Sequence, residues 1–229
     1  SGDRFYFWDG RVEYDKEAHR FNTPEPDISG KNPKEMSIVQ SLEDGLAAQA
    51  IFPLVSREEM RGKVGENEIA KEETNVGAWK KIVARIVDNV ESYMDLFEKA
   101  FPGQDFKEMN IGHVGSALSR FMEYQFYSWY SPLNRYASGD INALSMKEKK
   151  GLEVFLGRGR CIACHQGSHL ALNNFFTNVG VPELSSVENS RDLGRFEVTG
   201  LDFEKHFYKV PSLRNIALSA PYFHNGSKR

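Results

Sequence analysis

Apolar residues recur at helical spacing in one long stretch: Trp79, Ile82, Val83, Ile86, Val90, Met94 and Phe97 predict a single amphipathic helix over Val76 to Ala100. Phe101-Pro102-Gly103 stops it. Leu118, Phe121 and Met122 predict a second helix over Val114 to Tyr127, and Ser145 as N-cap opens a third through Lys147 to Leu156. A short helix is expected over 41–52, opened by Ser41 with Asp44 three residues on and ended by Pro53. Residues 1–40 read as loops, with turn signals crowded into 21–30, and Ser131-Pro132 to Asp140 reads as a connection. After residue 165, Gly, Pro and Asn recur and predict loops with short helices. The pattern is mainly α, with little strand signal and no internal repeat. Trp79, Ile82 and Ile86 are read as core, and Lys147-Glu148-Lys149-Lys150 as a solvated helix face.

Composition narrows the class. The 229 residues suffice for one large domain or two small ones, and 40% are apolar, with 16 Phe, 9 Tyr and 3 Trp. A formal net charge of −3 gives no electrostatic case for nucleic acid or a polybasic membrane anchor. No apolar run approaches the roughly 20 residues that span a bilayer, so no transmembrane segment is expected.

Both cysteines of the chain fall in Cys161-Ile162-Ala163-Cys164-His165. The pattern C-x-x-C-H is that of c-type haem attachment. Two thiols three positions apart can each form a thioether to one porphyrin edge, and the adjacent imidazole then binds iron axially. Two other readings are weaker. Cys164 and His165, being adjacent, are poorly placed to share a tetrahedral zinc, and His169 in place of His165 still leaves the fourth ligand missing. A thioredoxin-like dithiol wants a βαβ setting that the glycine- and arginine-rich flanks do not suggest. Thioether haem is attached outside the bacterial cytoplasm, so the motif implies a periplasmic protein whose signal peptide lies outside this chain. The ends at Ser1-Gly2 and Lys228-Arg229 read as cut or processed.

With the motif placed, ordered segments along the chain resemble the bacterial di-haem cytochrome c peroxidases and their MauG-like relatives. They are Phe7-Trp8-Asp9-Gly10-Arg11; Ala48-Gln49-Ala50-Ile51-Phe52-Pro53 with Glu58-Glu59-Met60; Ser131-Pro132-Leu133-Asn134-Arg135-Tyr136 with Gly139-Asp140 to Leu144-Ser145; 176–182 with Asp192-Leu193-Gly194-Arg195; Lys209 to Asn215; and Ala220 to Gly226. The resemblance implies cytochrome c-like haem domains in a two-domain architecture. Residues 1–130 would be the remainder of a first, peroxidatic domain, and 131–229 a second haem domain truncated at its end. Two departures stand out. The family carries two C-x-x-C-H motifs, whereas this chain has one, matching the second domain; and residues 12–47 form an insertion between segments that usually follow closely.

What the resemblance implies for single residues is specific. Glu59 matches a distal acid that moves a proton between peroxide oxygens, Gln49 an amide that orients the peroxide, Pro53 a residue that shapes the pocket, and Trp8 a relay between the two haems. Cys161, Cys164 and His165 hold one haem c; Lys209 and Arg214 neutralise its propionates; Ser219 and Pro221 offer backbone carbonyls to a calcium ion. All six methionines precede Cys161, so the sixth iron ligand is expected beyond Arg229. A Met there would suit a peroxidase and a Tyr MauG-like chemistry. The expected activity is reduction of hydrogen peroxide with electrons from a small donor protein, a cytochrome c or cupredoxin, by a homodimer. The alternatives are a MauG-like oxidase of a partner protein and a mono-haem electron carrier.

Overall fold

The computed structural model describes residues 3–126, 130–172, 174–182 and 192–229. The chain divides into two compact units, Ser1–Phe7 with Arg11–Gln125, and Trp8–Gly10 with Phe126–Arg229.

The first unit opens with an antiparallel meander of β1 (Phe5–Tyr6), β2 (Val12–Asp15) and β3 (Arg20–Asn22), where loops were expected. The alternation Val12-Glu13-Tyr14-Asp15 puts Val12 and Tyr14 inside, and Tyr14 stacks on its cross-strand partner Phe21 at 4.7 Å. Five helices follow: α1 (Met36–Ser41), α2 (Gly45–Ile51), α3 (Asn75–Asn89), α4 (Ser92–Ala100) and α5 (Ile111–Gln125). The expected helix over 41–52 begins later. Ser41 closes α1, its hydroxyl donating to Ser37 O, whereas Asp44 caps α2 by accepting the Ala47 N–H at 2.8 Å.

The single helix expected over 76–100 is two. Asn89 donates its side-chain amide to Arg85 O, and Val90 leaves helical geometry at φ −129°, ψ 75°. The apolar stripe of α3 is core as expected: Trp79 is 1% exposed, and its Nε1–H donates to Ile51 O at 3.0 Å. On α5 the expected face is not the buried one. Leu118 and Phe121 are exposed, and the helix buries Ile111, Gly112, His113, Gly115, Ser116 and Ser119 instead. Small residues win because α5 lies close to α1 and α2: a Cβ at Gly112 would sit 2.5 Å from Ile38 O, and one at Gly115 2.7 Å from Ala47 O. The expected end at Tyr127 lies outside the described residues.

The second unit holds α6 (Pro132–Ala137), α7 (Met146–Leu156), β4 (Phe176–Thr177), α8 (Phe196–Thr199) and β5 (Tyr208–Lys209), with β4 and β5 antiparallel. The expected connection after Ser131 contains α6, with Ser131 as N-cap and Pro132 at the first position. α7 starts on a capping box in which Ser145 and Glu148 each accept from the other's backbone N–H. Among the described residues of this unit, the buried hydrophobics are Leu144, Tyr208 and Val210, few for its length. The architecture is mainly helical, and no helix is long and apolar enough to cross a membrane among the described residues.

Candidate functional site

The C-x-x-C-H pentad is set by the end of α7. Gly157 N–H closes on Glu153 O and Gly159 N–H on Val154 O, then Arg160, at φ +55°, turns the chain into one 3₁₀ turn, Cys161–Ala163. The N–H groups of Cys164 and His165 both donate to Cys161 O, at 3.2 and 2.9 Å. Residues three apart eclipse in such a turn, so Cys161 and Cys164 project to one side. Both thiols are free and half-buried.

His165 Nδ1 lies 3.0 Å from Leu170 O. A carbonyl can only accept, so Nδ1 carries the proton and Nε2 keeps its lone pair. That is the support a metal-bound imidazole receives from the shell behind it. The carbonyls of the same loop are held in turn: Ser212 Oγ donates to His169 O at 2.6 Å, and Arg214 Nε to Ser168 O at 2.8 Å. Arg214 also donates to Asn134 Oδ1 at 2.6 Å, tying the loop to the first turn of α6. The geometry therefore gives Arg214 a loop-fixing role beside the expected one at a propionate. Two free thiols on one side of a turn, an imidazole with its distal nitrogen available and a largely outward-facing apolar complement fit a covalently held porphyrin.

Trp8 belongs to the same unit. Lys209 N–H donates to Trp8 O at 2.8 Å, and Arg195 Nη1 donates to both Asp9 O and Gly10 O at 3.0 Å. Arg195 also lies over the Phe176 ring, 4.6 Å from its centroid. Gly10 is required there: φ is +72°, and a Cβ would sit 2.5 Å from Phe176 and 2.7 Å from Arg195. The Trp8 ring meets the edge of His224 at 6.5 Å, and His224 stacks on Tyr208 at 3.6 Å. Burial holds the His224 imidazole below its usual range, against the pull of Asp192 and helped by His206. Arg195 and the Tyr208–His224 pair were missed as site residues, although Arg195 and His224 stood inside segments that carry the resemblance and Tyr208 directly precedes one. Lys209 is half-buried on β5, and Ser219 and Pro221 are exposed. Among the described residues no group of three or more His, Cys, Asp or Glu is placed to hold a metal ion.

Gln49, Pro53 and Glu59 fall together in the first unit. Gln49 is half-buried on α2; Pro53 O then accepts the Met60 N–H at 3.3 Å and Ser56 O the Arg61 N–H at 3.0 Å, folding Glu59 back beside Pro53. The Glu59 carboxyl is exposed. The turn is anchored by Arg61, which composition and spacing gave no reason to single out. Arg61 is 5% exposed and donates to Asn75 Oδ1 at 3.1 Å and to Glu72 O, joining the turn to the start of α3. Burial and the neighbouring Arg57 lower its pKa, against Glu72.

This arrangement has a family. The sequence model described as di-haem cytochrome c peroxidase matches residues 2–142, and the chain belongs to that family. The matched span carries Trp8, Gln49, Pro53, Glu59 and Arg61 and stops before Cys161.

Among individual relatives, cytochrome c551 peroxidase of Pseudomonas aeruginosa is 36% identical over 148 residues, covering 64% of this chain and 42% of that protein. The protein of the same name from Nitrosomonas europaea is 34% identical over 146 residues, with the same coverage. Methylamine utilization protein MauG of Methylophilus methylotrophus is 27% identical over 188 residues, 80% of this chain and 48% of its own. A crystal structure of a MauG-like protein associated with microbial copper homeostasis superposes with a TM-score of 0.63 at 27% identity, over 80% of this chain and 52% of the other. The chain thus spans about half the length of these relatives or less.

Proposed function

We propose that the protein to which this chain belongs is a periplasmic di-haem peroxidase. It reduces hydrogen peroxide to water with electrons from a small redox protein. The observation that carries this reading is the His165–Leu170 hydrogen bond behind a paired-thiol turn, in a chain whose other half matches the peroxidase family. Cys161, Cys164 and His165 would hold one haem c, at which the donor's electrons would enter; the family's second haem would supply the peroxide chemistry. The haems supply stepwise electron storage and transfer.

The remaining roles belong to side chains of this chain. Glu59 takes the proton from one peroxide oxygen and returns it to the departing one, a transfer that contributes about 10²–10⁴-fold in rate. The net reaction consumes two protons and two electrons per peroxide and releases two waters. Gln49 orients the peroxide through its amide, and Pro53 shapes the wall beside it. Arg61 holds the turn that presents Glu59. Trp8, held by the Lys209 N–H at its carbonyl and followed by Asp9 and Gly10 on Arg195, would offer its indole as an electron relay. Lys209 and Arg214 offset propionate charge, and the carbonyls of Ser219 and Pro221 contribute to a calcium site. The active species is a homodimer.

A second reading, a MauG-like oxidase of a partner protein's Trp or Tyr, is favoured by one observation: the MauG relative covers more of this chain than the peroxidases do. Stoichiometry separates the two. The full-length holoprotein, mixed with a reduced one-electron donor and limiting peroxide, should oxidise two donors per peroxide. Failure to oxidise any donor, with oxidation of a partner's aromatic residue instead, supports the second reading and sinks the first.

A further inference from the structure

The outward face of α7 has a composition unlike the rest of the chain. Spacings of three and four place Met146, Lys147, Lys150 and Val154 together on that helix, and all four are exposed. Beyond its end, Arg158 and Arg160 are exposed too. Among the described residues none of the four cations forms an ion pair. Of the helix's two carboxylates, Glu148 is committed to the capping box, accepting Ser145 N–H at 2.7 Å, whereas Glu153, exposed and three residues from Lys150, stands on this face and offsets one of its cations. Lys149 itself turns away, over the Tyr136 ring. A surface with this charge is not a consequence of overall composition, since the chain as a whole carries −3.

The face runs directly to the attachment site. Gly159 N–H donates to Val154 O at 2.8 Å, and a Cβ at Gly159 would lie 3.3 Å from both Val154 Cγ1 and Cys161 Sγ. Val154 thus sits beside the first thiol, where a thioether would join the porphyrin edge. A face on which Lys147, Lys150, Arg158 and Arg160 outnumber Glu153, with Val154 at the end that abuts that edge, combines two properties. It offers a short path for an electron, and it steers an oppositely charged protein to that path.

We propose that the exposed face of α7, continued through Arg158 and Arg160 to Cys161, is the docking surface for an electron-donor protein with an acidic contact face. The proposal rests on the reading that the haem at Cys161 receives the donor's electrons. Complementary charge acts chiefly on the association rate and is screened by salt.

The test is stopped-flow reduction of the oxidised full-length holoprotein, followed at the ferrous haem absorbance. Two reduced probes are used: a cupredoxin with an acidic surface patch and a mitochondrial-type cytochrome c with a lysine-rich face. The acidic probe should react faster at low salt and slow by about tenfold or more as ionic strength rises. The triple variant Lys147→Glu/Lys150→Glu/Arg158→Glu should lose about tenfold with the acidic probe at low salt and gain with the basic one. Reduction by a neutral hydroquinone should be unchanged, which shows an intact haem. Equal rates for variant and wild type, or a faster reaction of wild type with the basic probe, overturns the proposal. Steered reduction without peroxide turnover would overturn the proposed reaction and leave this surface standing. Turnover without steering would do the reverse, and a protein without covalent haem overturns both.

Discussion

Replacing Gly115 by Ala separates two effects that usually act together. In an unhindered helix interior, Ala is favoured over Gly by about 1 kcal/mol. At position 115 the new methyl would lie 2.7 Å from Ala47 O and 2.9 Å from Ile51 Cγ2. Relaxed contacts lie at about 3.5–4.0 Å, so α2 and α5 must part by several tenths of an ångström. Overpacking of this kind costs about 1–3 kcal/mol, which leaves a net loss of up to about 2 kcal/mol after the propensity gain of about 1 kcal/mol. The matched control is Gly151→Ala on α7, where a Cβ meets nothing within 4 Å. That variant should gain about 0.5–1 kcal/mol. Urea unfolding of the full-length holoprotein, followed by far-UV circular dichroism with separate transitions fitted separately, reads both as midpoint shifts at unchanged slope. Because α2 carries Gln49, Gly115→Ala should also lower peroxide turnover. A midpoint for Gly115→Ala raised like that of Gly151→Ala would refute the close-packing argument.

Other expectations follow from single contacts. His113 is buried, with Nδ1 accepting the Asn110 N–H and Nε2–H donating to Gln104, and burial lowers its pKa. A depressed histidine binds its proton more weakly folded than unfolded, so stability is full above about pH 6.5 and falls below it by up to about 1.4 kcal/mol per pH unit. His113→Gln should flatten that slope in urea titrations across pH. Arg61→Ala strips partners from Asn75 and Glu72 O and should cost about 2–3 kcal/mol, with turnover lost before the haem spectrum changes. Cys161→Ser/Cys164→Ser should abolish covalent haem, read by mass spectrometry of the denatured chain; retained covalent haem would exclude the motif as the attachment site.

The apolar stripe of α3 and the Ser145 cap of α7 were legible, because each is a local signal. They were misjudged where the decisive contact is long-range. Nothing local in Gly112 or Gly115 says that another helix backbone will pass within reach of a missing Cβ. Leu118 and Phe121 obeyed the helical period without being the face that packs. The meander was available in the alternation of 12–15 but is short enough to hide beside turn residues. At the site, the pentad was visible in the sequence, whereas its support was not. Leu170 acts through a carbonyl, Arg61 through a buried fork, and Arg195 through a left-handed Gly10; backbone acceptors and positive φ leave faint marks in a sequence. Gln49 and Glu59 stood out through family resemblance, because an exposed glutamate among many acidic residues carries no local sign of its task.

Peroxide turnover by the full-length holoprotein bearing Glu59→Gln, beside wild type, tests the central claim most directly. The substitution preserves shape and removes the proton carrier, so kcat should fall by about 10²-fold or more while covalent haem and donor reduction stay as in wild type. Turnover equal to wild type would contradict the account.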